Sequence, residues 1–149
     1  MLYGKNLKSL REENDMKQAD LARLINTHEY VYGQYEREYT LIPIKHLNTL
    51  CNYFKVSIDY IFDFTETKNY YDYNTEINLE KSGLRLKELR KNHNLTQEKL
   101  SSLLNIDRST LAKYEKGIHI IATPFLYTIC KKYNISADYL LGKIDNEKK

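Results

Sequence analysis

Residues 94–117 read NLTQEKLSSLLNIDRSTLAKYEKG, two short amphipathic runs separated by a two-residue break. From Gln97 to Leu104, the leucines at 100, 103 and 104 fall at i, i+3 and i+4, which predicts one apolar face on a helix. Thr96 ahead of the run has the chemistry of an N-cap. Asn105 and Ile106 form the break, and asparagine tolerates the left-handed backbone that a tight turn demands. From Asp107 to Lys116, a second helix turns Leu111 and Tyr114 inward, and Gly117 follows as its C-terminal cap. Its outer face then carries Arg108, Ser109, Ala112, Lys113 and Lys116. A short helix with a buried back and a small, polar, basic front suits the major groove of duplex DNA.

Outward from this stretch, the chain repeats itself. Shifted by 79 residues, Gly4 to Phe62 matches Gly83 to Leu141 without a gap. LKSLR (Leu7 to Arg11) falls on LKELR (Leu86 to Arg90). Gln18, Leu21, Leu24 and Asn26 fall on Gln97, Leu100, Leu103 and Asn105, and Tyr35-Glu36 falls on Tyr114-Glu115. Leu47, Thr49 and Cys51 meet Leu126, Thr128 and Cys130, and Ser57, Asp59 and Tyr60 meet Ser136, Asp138 and Tyr139. The period is far longer than a solenoid unit, so the chain reads as two copies of one small domain.

Each copy supports five helices. In the first they are marked by Leu7 and Leu10; by Leu21, Leu24 and Ile25; by Tyr32 and Tyr35; by Leu47, Leu50, Cys51 and Phe54; and by Tyr60 to Phe62 behind a Ser57 cap. The second repeats the pattern, with Pro124 in the first turn of its fourth helix. Both cysteines, Cys51 and Cys130, lie on the apolar face of a fourth helix, which makes them core residues. The expected organisation is a domain over residues 1–65, a polar linker over 66–81 with Tyr70, Tyr71 and Tyr73 clustered in it, and a second domain over 82–149.

The central stretch resembles the helix-turn-helix of the Cro and phage-repressor-like (XRE) family. The matching residues are Leu95-Thr96-Gln97, the paired leucines, Arg108 to Leu111 and Tyr114 to Gly117; the S-x-D-Y element near the end of each copy is also typical. The resemblance implies an all-α chain of two tandem five-helix, lambda-repressor-like DNA-binding domains. By the same resemblance, Gln97 anchors a phosphate and base contacts fall on Arg108, Ser109 and Lys113. Thr96, Asp107, Thr110 and Lys116 complete the expected contact surface. Arg11 with Glu36, and Arg90 with Glu115, are implied as structural salt bridges from helix one to the end of helix three.

The copies differ in charge. The stated net charge of +3 divides into −1 over residues 1–65, −3 over 66–80 and +7 over 81–149. Phosphate contacts dominate non-specific DNA affinity, so the second copy is expected to be the principal reader. In the first copy the reading positions hold Glu29, Tyr30 and Gln34. Glu29 has the wrong sign for phosphate, although glutamate accepts from the cytosine amino group, and Gln34 suits adenine. Gln18 keeps the phosphate-anchor position. His28 replaces Asp107, within reach of a phosphate, and Glu38 replaces the glycine cap, adding an acid beside the expected DNA face. The first copy is thus a reader of a different half-site or a domain turned towards protein contacts.

Other classes find no residues to support them. No catalytic constellation, phosphate-cradling glycine loop or metal-ligand spacing occurs, so no enzyme activity, metal or cofactor is expected. No apolar run is long enough to cross a membrane, and the N-terminus lacks a signal-peptide core, which implies a cytoplasmic protein. The expected partner is double-stranded DNA. A homodimer on a palindrome and a pseudo-dimer within one chain both fit, and repression is the commoner mode in the family. The rival reading is an antitoxin-like or anti-regulator module whose helix-turn-helix binds a protein. The sequence names no small-molecule effector.

Overall fold

The computed structural model describes residues 1–147, which form two compact units, Met1–Tyr71 and a second beginning at Asp72. The first holds α1 (Tyr3–Glu13), α2 (Gln18–Leu24), α3 (Glu29–Glu36), α4 (Ile44–Phe54) and α5 (Ile58–Ile61). The second holds α6 (Leu79–Asn92), α7 (Gln97–Leu104), α8 (Arg108–Glu115), α9 (Thr123–Tyr133) and α10 (Ala137–Leu140). No strand occurs among the described residues, and no described helix is long and apolar enough to cross a membrane.

Within the first unit, α3 packs on α1 and α2, while α4 closes the core against α2 and α5. Tyr3, Leu7, Leu21, Tyr32, Leu47, Leu50 and Cys51 have no exposed surface. The second unit buries Leu86, Leu100, Leu111, Leu126, Ile129 and Cys130 in the same manner. Both cysteines are buried, as their place on the apolar faces of α4 and α9 predicts.

One glycine in each copy sets the spacing of the first and third helices. A Cβ on Gly4 would lie 2.1 Å from the Glu36 carbonyl oxygen, and one on Gly83 would lie 2.4 Å from that of Glu115. Only a bare backbone lets the first helix approach the end of the third this closely.

The repeat runs further than the ungapped match. After the fifth helix each chain turns back and offers a carbonyl to the residue that caps that helix. The Ser57 amide donates to the Lys68 carbonyl at 2.6 Å, and the Ser136 amide to the Glu147 carbonyl at 2.8 Å. Both pairs keep the 79-residue shift.

The segment expected as a linker, 66–81, divides between the units. Tyr70 donates its hydroxyl to the buried Asp59 carboxylate at 2.7 Å, within the first unit. Asn74 and Asn78 donate backbone amides to the Lys143 and Leu141 carbonyls, both at 2.9 Å, and the Lys143 ammonium donates to the Tyr73 hydroxyl. Asn78 also caps α6, its side chain accepting from the Lys81 amide at 3.0 Å. That cap starts α6 one turn earlier than α1, so α6 has 14 residues against 11.

Candidate nucleic-acid interface

In the second unit, α7 and α8 are held at a fixed angle by local chemistry. Thr96 caps α7, its hydroxyl accepting from the Lys99 amide at 3.1 Å. Asn105 takes the left-handed conformation (φ 55°), and the Ile106 amide donates to the Ser101 carbonyl at 3.0 Å, closing the turn. At the far end, Gly117 (φ 72°) donates to the Tyr114 carbonyl and Ile118 to the Lys113 carbonyl, the paired bonds of a Schellman cap.

Leu111, Tyr114 and Glu115 turn inward from α8, and Arg108, Ser109, Lys113 and Lys116 are exposed. Thr110 and Ala112 are half-buried. Asp107 stands at the N-cap position without a side-chain capping bond and is exposed, as is Thr96. Four of the expected contact residues therefore share the outer face of one short helix and its C-cap.

The helix is fixed from behind by a carboxylate. Glu115 accepts from Arg90 Nε at 2.7 Å and from Arg90 Nη2 at 3.0 Å, and Arg90 Nη1 donates to the Leu95 carbonyl at 2.9 Å. Glu115 holds the Arg90 guanidinium above its ordinary pKa, chiefly through this hydrogen bond. The first unit repeats the arrangement: Arg11 donates to Glu36 at 3.2 and 2.9 Å and to the Met16 carbonyl at 3.1 Å, and its pKa is raised for the same reason.

The two glutamines expected at the phosphate-anchor position join these networks. Gln97 Nε2 donates to Glu115 Oε1 and Gln18 Nε2 to Glu36 Oε2, both at 3.2 Å. Each amide is half-buried and oriented by the carboxylate behind it.

In the first unit, His28, Glu29 and Tyr30 are exposed and Gln34 is half-buried along α3. Glu38 differs from its expected place. It adopts the left-handed conformation (φ 58°) and keeps the Schellman pair, with Glu38 donating to the Tyr35 carbonyl and Tyr39 to the Gln34 carbonyl, both at 3.0 Å. Its carboxylate turns to the start of α1 and accepts from the Gly4 amide at 3.2 Å, rather than standing beside the face of α3 expected to meet DNA. The second unit needs glycine here because the extra first turn of α6 occupies the space: a Cβ on Gly117 would lie 2.9 Å from the Leu79 carbonyl oxygen. The first unit has no such turn.

Sequence reading passes over Arg37, although the 79-residue shift sets it on Lys116. It is exposed at the end of α3, its guanidinium carbon 5.7 Å from the centre of the Tyr39 ring.

Comparison with known proteins agrees with this geometry. A helix-turn-helix domain family model matches residues 83–146, and another helix-turn-helix model matches residues 7–61. Antitoxin PezA of Streptococcus pneumoniae serotype 4 is 36% identical over 61 residues, which is 41% of this chain and 39% of that protein. The HTH-type transcriptional regulator ImmR of Bacillus subtilis is 40% identical over 67 residues, 45% of this chain and 53% of that protein. The uncharacterized HTH-type transcriptional regulator YobD of Bacillus subtilis is 36% identical over 62 residues, 42% of this chain and 55% of that protein. The matches thus span between two-fifths and just over half the length of these relatives. No solved structure matches the chain. Two family models on two copies of one five-helix unit lead to one conclusion: the chain carries two XRE-type helix-turn-helix domains in tandem, similar to those of HTH-type transcriptional regulators.

Proposed function

We propose that the chain binds duplex DNA sequence-specifically and represses transcription by occluding a promoter, acting in the cytoplasm. The observation that carries this reading is the outer face of α8. Arg108, Ser109, Lys113 and Lys116 are exposed together on a helix whose other side is locked into the core. In the reading proposed, α8 enters the major groove, Arg108 pairs bidentately with a guanine, and Ser109 and Lys113 reach neighbouring base edges. Thr96, Gln97, Asp107, Thr110 and Lys116 face the backbone or flank the base contacts, and phosphate contacts fix the register without carrying sequence information.

The test is selection of bound duplexes from a randomised pool by the full chain at physiological salt. Enrichment of one motif is the expected result. A palindrome assigns a homodimer reading through one copy, and two unlike half-sites assign both copies of a single chain. Binding to all sequences alike, with steep salt dependence, overturns sequence-specific regulation.

The second reading, a helix-turn-helix that binds a protein, draws support from the similarity to an antitoxin. The double variant Arg108→Ala plus Lys113→Ala separates the two. It abolishes the activity of a DNA reader while the fold stays intact, and it spares that of a module whose partner docks elsewhere.

A further inference from the structure

The second unit has a cavity of about 440 Å³ between α6, the end of α9 and the chain around α10. No residue of α7 or α8 lines it. Its volume lies in the range of small-molecule sites, about 300–1,000 Å³. Leu89 and Ile135 form the buried part of the lining, and His93, Tyr133 and Tyr139 add three rings. The His93 and Tyr133 rings pack together, 4.3 Å between centres. His93 Nδ1 donates to the Leu89 carbonyl at 2.9 Å, which leaves Nε2 of the neutral ring as an acceptor.

The surroundings of this cavity are negative. Two helices end in its lining: α6 closes at Asn92 with His93 as its C-cap, and α9 closes at Tyr133 with Asn134 as its C-cap. The C-terminal end of a helix carries partial negative charge and favours cations. Glu88 and Glu147 are exposed in the same lining and sit in no ion pair among the described residues. Burial raises the pKa of Tyr139, and the Glu88 and Glu147 charges add to that rise, so both carboxylates act on one ring of the cavity. Arg85 also lines it, but its donors are engaged within the chain. Nη1 donates to the Tyr139 and Ile144 carbonyls, both at 2.7 Å, and Nη2 to the Asp145 carboxylate at 2.9 Å. The first unit has lysines at two of the matching positions. The 79-residue shift sets Lys55 on Asn134, Lys68 on Glu147 and Ser9 on Glu88. Two lysines and a serine of one copy are thus an amide and two carboxylates in the other, all around one cavity.

We propose that this cavity binds a small organic cation, an ammonium or guanidinium carried on an apolar body. The charged end sits among the Glu88 and Glu147 carboxylates and the two helix ends, where the first copy supplies lysines of its own. The body packs on Leu89 and Ile135 and against the rings, whose faces attract cations as well as apolar groups. Because α7 and α8 take no part in the lining, the occupant leaves the exposed face of α8 free. The site therefore stands apart from the DNA-binding reading and needs no DNA to form.

The experiment titrates the full chain, without DNA, with tryptamine, with agmatine and with indole-3-propionate, which keeps the ring of tryptamine and reverses its charge. Backbone amide NMR shifts locate each probe, and calorimetry measures its affinity. At least one of the two cations is expected to saturate a site marked by residues 88–93 and 133–139. Tryptamine is expected to bind about tenfold more tightly than the propionate. Glu147→Lys, which gives this position the first unit's side chain, is expected to abolish that preference, and Glu88→Gln to weaken tryptamine about threefold. Both residues are exposed, and circular dichroism of each variant reports the fold. Equal affinity for tryptamine and the propionate, shifts confined to other parts of the chain, or wild-type affinity in Glu147→Lys overturns the cation site. Failure of both cations to saturate below about 10 mM overturns it as well.

Discussion

Gln97 donates its side-chain amide to the Glu115 carboxylate at 3.2 Å, and that carboxylate is the one Arg90 grips from α6. Three helices therefore meet on a single buried acid, and the orientation of α8 depends on it. The side chains of Arg90 and Glu115 keep 10% and 3% of their exposure, so removing one partner strands a buried charge. Glu115→Ala should cost about 3–5 kcal/mol, whereas Gln97→Ala, which removes a neutral donor, should cost about 1 kcal/mol. Urea unfolding of the two variants checks the difference. Equal, small losses would mean that the pair is solvated and does not set the helix.

Gly83 tests the spacing behind that network. A methyl at this position meets a backbone carbonyl, which cannot swing away as a side chain does. Gly83→Ala should therefore destabilise by about 1–3 kcal/mol through overpacking, despite the gain in helix propensity that alanine brings. The same substitution at Gly4, where the approach is closer, should cost at least as much. A rise in unfolding midpoint for either variant would contradict the close approach of first and third helices.

Leu103 and Leu104 are adjacent in sequence and opposite in fate. The periodicity of α7 predicts Leu100, Leu103 and Leu104 on one inward face, but Leu103 is 51% exposed while Leu100 and Leu104 are buried. The buried stripe is Leu100, Ser101 and Leu104, rotated towards the serine, whose hydroxyl donates to the Glu98 carbonyl at 2.9 Å. The first unit uses the same i, i+1, i+4 stripe in Leu21, Ala22 and Ile25. At 100° per residue, a stripe centred between 100 and 101 leaves position 103 outside. Leu104→Ala should cost about 2–5 kcal/mol, and Leu103→Lys should stay within about 0.5 kcal/mol. Thermal unfolding distinguishes them.

That example shows which parts of the fold can be read before the structure is seen. Thr96, Asn105 and Gly117 act on backbone within a few residues of themselves, so their chemistry fixes caps and turns locally. The repeat then carries every such assignment to the other copy. Ser101 carries no apolar signal, so the true face of α7 is hidden until α8 packs against it. Glu38 and Gln97 are hidden for a related reason: each side chain is turned by a partner far along the chain, Gly4 in one case and Glu115 in the other. Arg37 was within reach of the repeat through Lys116.

Tyr3 gives the first unit an alkaline sensitivity that has no counterpart at the matching position of the second, which is Ser82. Tyr3 has no exposed surface, and its hydroxyl accepts from the Ile42 amide at 3.1 Å. Burial pushes its pKa up from 10.0 to about 12. The folded state thus resists losing a proton that the unfolded chain gives up near pH 10. The contribution is complete below pH 10 and declines as pH rises through about 12, because the unfolded state is favoured once its tyrosine ionises. About 1 kcal/mol is lost by pH 11. Burial also raises Tyr32, and that residue acts in the same direction. Tyr3→Phe removes one of the two titrating groups, so the stability difference between wild type and variant should narrow between pH 9 and 11 by about that amount. Urea midpoints at the two pH values measure it, and a difference that stays constant would mean that Tyr3 ionises alike in the folded and unfolded chains.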